Sequence, residues 1–186
     1  MLLAVEAGSS GRGNEPYPSK PDPNSQQLRP DADGVIRLPG MGVVQDLLAN
    51  PGMYVGKDTA IGRDLIGAAR IVVTRLPGGA GVSLDYELLN ALAPGPVLGH
   101  VEHTMVGVAD DGTTIMVIAH THGAGITMLH ETEPGTFEPG DGPVPYPMKV
   151  VLSVPAPGRL RHAWWYGAPG EELAERDVAE LDLITE

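Results

Sequence analysis

The sequence of 186 residues contains no cysteine. That excludes disulfide staples, thiolate nucleophiles, iron–sulfur clusters and Cys-type zinc sites, so any metal must rest on His, Asp or Glu. Positive charge is also scarce: 12 Lys and Arg stand against 24 Asp and Glu, a net charge of −12, and no basic run occurs. A surface of that sign repels nucleic acid and anionic membranes, and neither is expected as a partner. Long apolar runs are missing as well, none approaching the roughly 20 residues that a spanning helix requires. The opening "MLLAVEAGSSGRG" has a short apolar patch with no basic residue ahead of it and Glu6 directly behind, which is not a secretory pattern. A soluble, cytoplasmic protein is therefore expected. Serine is thin too: there is no Gly-x-Ser-x-Gly elbow, and Ser83 and Ser153 are the serines beyond residue 34, which argues against nucleophilic acyl transfer.

Glycine and proline are plentiful, at 25 and 18 residues. Residues 1–34 form one segment, of which "GSSGRGNEPYPSKPDPNSQQLRPDADG" (8–34) has almost no apolar content and cannot repay the entropy of ordering itself. It is expected to be a disordered tail. The remainder, 35–186, is long enough for one domain with a sizeable core.

Within that domain "GVVQDLLANPG" sets Val43, Val44, Leu47 and Leu48 at helical spacing, with Asn50-Pro51-Gly52 as the stop, so a short helix is expected. The period then changes to two. In "SLDYELL" Leu84, Tyr86 and Leu88 face one way and Ser83, Asp85 and Glu87 the other, as in a half-buried strand. Similar runs span 69–75, 98–109, 113–122, 126–132, 148–154, 160–167 and 176–184, separated by turn clusters such as "ADDGT", "EPGT" and "PAPG". The last run is ambiguous, because Glu172–Glu175 just before it favour a helix. Some eight short strands without crossover helices define an all-β antiparallel meander, closed into a barrel to remove its edges; a jelly roll of the cupin kind is the alternative.

A short helix leading into "Gly52-Met53-Tyr54-Val55-Gly56", then a meander, then "His162-Ala163-Trp164-Trp165-Tyr166", resembles the calycin barrels: lipocalins, fatty-acid-binding proteins and their bacterial relatives of unknown function. The resemblance runs from about residue 40 to 184, although Tyr54 stands where that family carries tryptophan. It implies a cup that holds a small apolar ligand.

The segment "GHVEHTMVGVADDGTTIMVIAHTHG" reads as a hairpin around Asp111-Gly112. A two-residue type I′ turn there sets His103 opposite His120 and Met105 opposite Ile118, so that His103, His120 and His122 share one face. A three-residue turn slips the register by one, and Glu102 then opposes His120 and His100 opposes His122. Three imidazoles on a sheet can hold a divalent metal; this makes His103, His120 and His122 candidate ligands. The cupin spacing is not met, because Glu131 follows His122 by nine residues. Without metal, His103 and His120 beside Glu102 are candidates for acid–base catalysis in an isomerase or cyclase. The bland reading is a set of polar residues hydrogen-bonded to one another or to water. No haem motif is present, though a histidine in such a cup could ligate one.

Both faces of the hairpin are apolar, with Val106, Val108, Ile115 and Val117 assigned to one and Met105, Met116 and Ile118 to the other. Two apolar faces need two covers, and a homodimer is one way to supply the second. The ligand contacts expected in the cup are Tyr86, Met105, Met116, Ile118, His122, Met148, Trp164 and Tyr166. Three functions follow as alternatives: binding a small, largely apolar molecule, with or without acid–base chemistry on it as a cyclase or isomerase; a metal-dependent enzyme; or a non-catalytic interaction module.

Overall fold

The computed structural model describes residues 42–63, 65–90, 97–121, 125–140 and 146–185. The tail expected over 1–34, and His122, lie outside the described residues. Helix α1 (Gly42–Ala49) is followed by ten strands: β1 (Gly52–Ala60), β2 (Leu65–Arg75), β3 (Gly81–Asn90), β4 (Val97–Val108), β5 (Thr114–His120), β6 (Ile126–Glu133), β7 (Thr136–Pro139), β8 (Met148–Ala156), β9 (Arg159–Tyr166) and β10 (Ala174–Leu183). Each strand pairs antiparallel with its neighbours, and β1 closes on β10, Tyr54 facing Leu183 and Ala60 facing Asp177. The all-β meander barrel with one short helix is thus the fold, an architecture compatible with a calycin-like barrel. The ambiguous last segment is a strand.

Turn chemistry sets the hairpins. Ala156 pairs with Arg159 across Pro157-Gly158, and Gly158 has φ +75°. Proline followed by a residue of positive φ is the type II pattern, which glycine adopts without a Cβ clash.

The β4–β5 connection takes the slipped register. Ala109 N donates to Thr113 O at 2.8 Å and Gly112 N donates to Ala109 O at 2.9 Å, so three residues, Asp110 to Gly112, form the loop, with Gly112 at φ +87°. This is a type I turn closed by a left-handed glycine. Asp111 supports it by accepting from the Thr113 amide at 2.9 Å. Glu102 consequently faces His120, and Met105 faces Val117. The two-residue register, with His103 opposite His120 and Met105 opposite Ile118, does not form. The faces regroup as well: Val106 shares the buried inner face with Met116 and Ile118, while Met105, Ile115 and Val117 point outward.

The two ends of the barrel differ. At one end α1 buries Val43, Val44 and Leu47 in a core with Val82, Val106, Phe137, Leu152 and Leu181. The C-terminal carbonyls of α1, which have no partner within the helix, are tied to the barrel: Arg75 donates to Leu48 O at 2.8 and 3.0 Å, and Tyr54 Oη donates to Asn50 O at 2.6 Å. The helix is therefore a fastened plug. At the other end, where β1, β3, β5 and β9 finish, exposed Ile61, Ile66, Leu89, Leu98 and Ile126 form an apolar rim.

Candidate functional site

Below that rim the barrel encloses a cavity of about 420 Å³. The strands alternate, so inward positions on β1, β3, β4, β5, β9 and β10 converge on it. One wall is carboxylate and phenol: Asp58 and Tyr86, Asp177 and Tyr166. Another is imidazole and indole: His100, His120 and Trp164. Leu88, Ile66 and Ala60 supply apolar surface, Tyr146 reaches in beside Tyr166, and Arg63 stands exposed at the edge.

Two buried carboxylates lie in different environments. Asp58 Oδ2 accepts from Tyr86 Oη at 2.6 Å. Burial raises the Asp58 pKa and the charge of Asp177 adds to that, while the Tyr86 hydrogen bond and the nearby His162 and His100 oppose it without cancelling it. Tyr86 is held protonated, its pKa driven up first by burial and then by the Asp58 charge. Tyr166 donates to Asp177 Oδ2 at 2.8 Å, and burial together with that bond pushes its pKa up to about 12.

Glu102 lies deeper, at 2 % exposure. Thr104 Oγ1 donates to Oε1 at 2.5 Å, His162 Nε2 is 3.7 Å from Oε1, and His100 Nε2 is 3.6 Å from Oε2. Burial by itself pushes this carboxyl up, but the charge of His162 and the contacts with His100 and Thr104 outweigh it, and the pKa is lowered. The group is therefore a buried carboxylate between two imidazoles. A charge in that position is stable only while its partners stay in place. The His100 ring, lining the cavity, links this pair to Tyr86 and His120, with ring centroids 5.5 and 5.7 Å away.

Of the residues singled out from the sequence, Tyr86, His120, Trp164 and Tyr166 line the cavity. Glu102 lies behind them, and Met116, Ile118 and Met148 are inward core residues. His103 and Met105 are not part of the site. The His103 side chain is 58 % exposed and bonds to Asp85 on the outer face, and Met105 is 41 % exposed, because beyond His100 the odd positions of β4 point away from the interior. His103 and His120 therefore lie on opposite sides of the sheet and cannot bind one ion together. Among the described residues no three His, Asp or Glu side chains are grouped to hold a metal.

Sequence reasoning missed Asp58, His100, His162 and Asp177 as site residues. Asp58 lies in a strand without apolar alternation, so nothing local marks it as inward, whereas Asp177 is in phase with Ala179, Leu181 and Leu183, and the period of two was the signal that could have found it. His162 was visible as a member of the face shared by Leu160, Trp164 and Tyr166. Lys149 sits on the outer face with Nζ 4.5 Å from the centre of the Trp165 ring.

No family model and no curated protein matches this chain. No helix among the described residues is long and apolar enough to cross a membrane.

Proposed function

We propose that the barrel binds a small, largely apolar molecule in the cavity beneath the rim. The observation that carries this reading is the asymmetry of the interior: one end is filled by α1 and aliphatic side chains, while the other leaves about 420 Å³ beside aromatic rings and fixed polar groups. Ligand sites are commonly cavities of that size, about 300–1,000 Å³, with apolar walls and a few placed polar groups. Folding gains nothing from hollowing a barrel, because an unfilled interior forfeits dispersion contacts. The same wall supports acid–base chemistry on the bound molecule. His100 and His120 line the cavity and Glu102 backs His100, so an imidazole there has a carboxylate to hold its ring orientation while a proton moves.

The test is a titration of the full chain with Nile red, a neutral apolar dye. One dye per chain is expected, with loss of binding in Leu88→Trp, which places an indole in the cavity. Absence of dye binding, or binding unchanged in the Leu88→Trp variant, overturns the reading.

A second feature supports self-association. Met105, Val117 and Met128 are register partners on the outer face of β4, β5 and β6, and Met105 and Met128 are 41 % and 53 % exposed. Contiguous apolar surface of this kind marks interfaces.

A further inference from the structure

We infer that the molecule taken up by the cavity is an organic amine, its ammonium group seated between the carboxylates of Asp58 and Asp177. This rests on the proposal that the cavity is a binding site, and it names the chemistry of the occupant. Asp58 pairs with Ala179 and Asp177 with Ala60 on adjacent strands, so the two carboxylates are diagonal neighbours on the inner surface, a separation of about 7–8 Å between backbones. An ammonium group bridges such a pair.

The hydrogen-bond inventory of this wall is one-sided. Each carboxylate has one oxygen engaged by a phenol, Tyr86 on Asp58 and Tyr166 on Asp177. Those phenols have spent their single protons and have none left for a ligand. The carboxylates keep further lone pairs and have nothing to donate. What the wall offers a ligand is therefore acceptors, and the imidazoles nearest Asp58, those of His100 and His162, lie against Glu102. Among the described lining residues there is no lysine, and Arg63 is exposed at the edge.

The raised pKa of Asp58 agrees with this picture: burial and the second carboxylate disfavour its charge, and a bound ammonium would reverse that penalty. Aromatic rings complete the seat. Tyr86, Trp164, Tyr166 and Tyr146 line the same space, the last two edge to face with centroids 6.1 Å apart, and π faces attract a cation brought out of water. Trp164 is 9 % exposed and its indole N–H has no hydrogen-bond partner; that donor needs an acceptor, which a water beside the ligand supplies, since the ammonium has only donors. Finally, the net charge of −12 enriches cations around the molecule.

The competing class is an anion, which would turn to Arg63 and the imidazoles of His100 and His120. Octylamine, 1-octanol and octanoate share one apolar chain and differ in the head group. Each is titrated by calorimetry into the full chain at neutral pH and low salt. Octylamine is expected to bind tightest, on the order of tenfold above octanol, the ratio one charge-assisted hydrogen bond supplies. Asp58→Asn and Asp177→Asn should each weaken octylamine by on the order of tenfold and leave octanol within about twofold. Octanoate binding tightest, equal affinities for all three, or Asn variants that weaken octanol as much as octylamine would overturn the inference and leave the cavity standing as a binding site. No binding by any of the three, with no Nile red uptake, would remove both.

Discussion

Replacing His162 by leucine tests whether Glu102 is held as a charge inside the barrel. Leucine occupies much of the ring's space, so the cavity term is small, and the change removes one of the two imidazoles within 4 Å of a carboxylate that is 2 % exposed. Leaving a buried carboxylate without one of its partners costs about 3–5 kcal/mol, because the charge keeps its desolvation penalty. Here His100 at 3.6 Å and Thr104 at 2.5 Å remain, which places the expected loss near the lower end, about 3 kcal/mol. For a chain of this size that corresponds to a fall in Tm of roughly 6–12 °C. The assay is urea unfolding at pH 7 of the wild type, His162→Leu, Glu102→Gln and the double variant. With the amide in place there is no charge to strand, and His162→Leu should then cost about 1 kcal/mol, a coupling of about 2 kcal/mol. If the two substitutions add to within about 0.5 kcal/mol, the limit for independent sites, the imidazole and the carboxylate do not interact and the account of Glu102 fails.

Asp58→Asn follows from the opposite shift. A carboxyl whose folded pKa is raised burdens the folded state increasingly as pH climbs past its ordinary value of 3.8, whereas the lowered pKa of Glu102 contributes stability above 4.5 that is lost as pH falls through the folded value. The asparagine variant, which still accepts from Tyr86, should be more stable than the wild type at pH 7 and equal to it below pH 3.8; thermal unfolding across that range that shows no pH-dependent difference would sink the claim. His103→Lys probes the register. An exposed imidazole on the outer face should be replaceable within about 1 kcal/mol, and a chemical-denaturation loss above about 2 kcal/mol would put His103 inside.

Asp58 illustrates a general conflict between stability and use. Its burial beside Asp177 works against folding, and the side chain is tolerated because the surrounding barrel fixes it. A stabilising Asp58→Asn that also loses amine binding would be that conflict measured in one residue.

Much of the architecture was legible in the residues themselves. The helix over 42–49 announced itself by the spacing of Val43, Val44, Leu47 and Leu48, and β3, β8 and β9 by strict alternation, as in Leu84-Tyr86-Leu88 and Met148-Val150-Leu152. Local order of this kind depends on periods of 3.6 and 2 that neighbouring residues set without help from the rest of the chain. Strands β1 and β7 were harder to see. In β1 the inward positions are Tyr54, Gly56 and Asp58, so the pattern lacks the apolar alternation that marks a strand, and β7 has four residues.

What the chain could not settle alone was which side of each strand is inside. Between Val97 and His120 both faces are apolar, and the turn around Asp111 permits two registers that differ by one residue. The sum of ten pairings around a closed barrel selects one, and because side chains alternate, that single step sends His103 and Met105 outward and brings His100 and Glu102 in. The partners of Glu102 come from β4 and β9, some sixty residues apart, and those of Asp58 from β3. Only closure of β1 on β10 brings Asp58 and Asp177 together, since contacts between distant segments are set by the whole sheet and leave no mark in the local sequence.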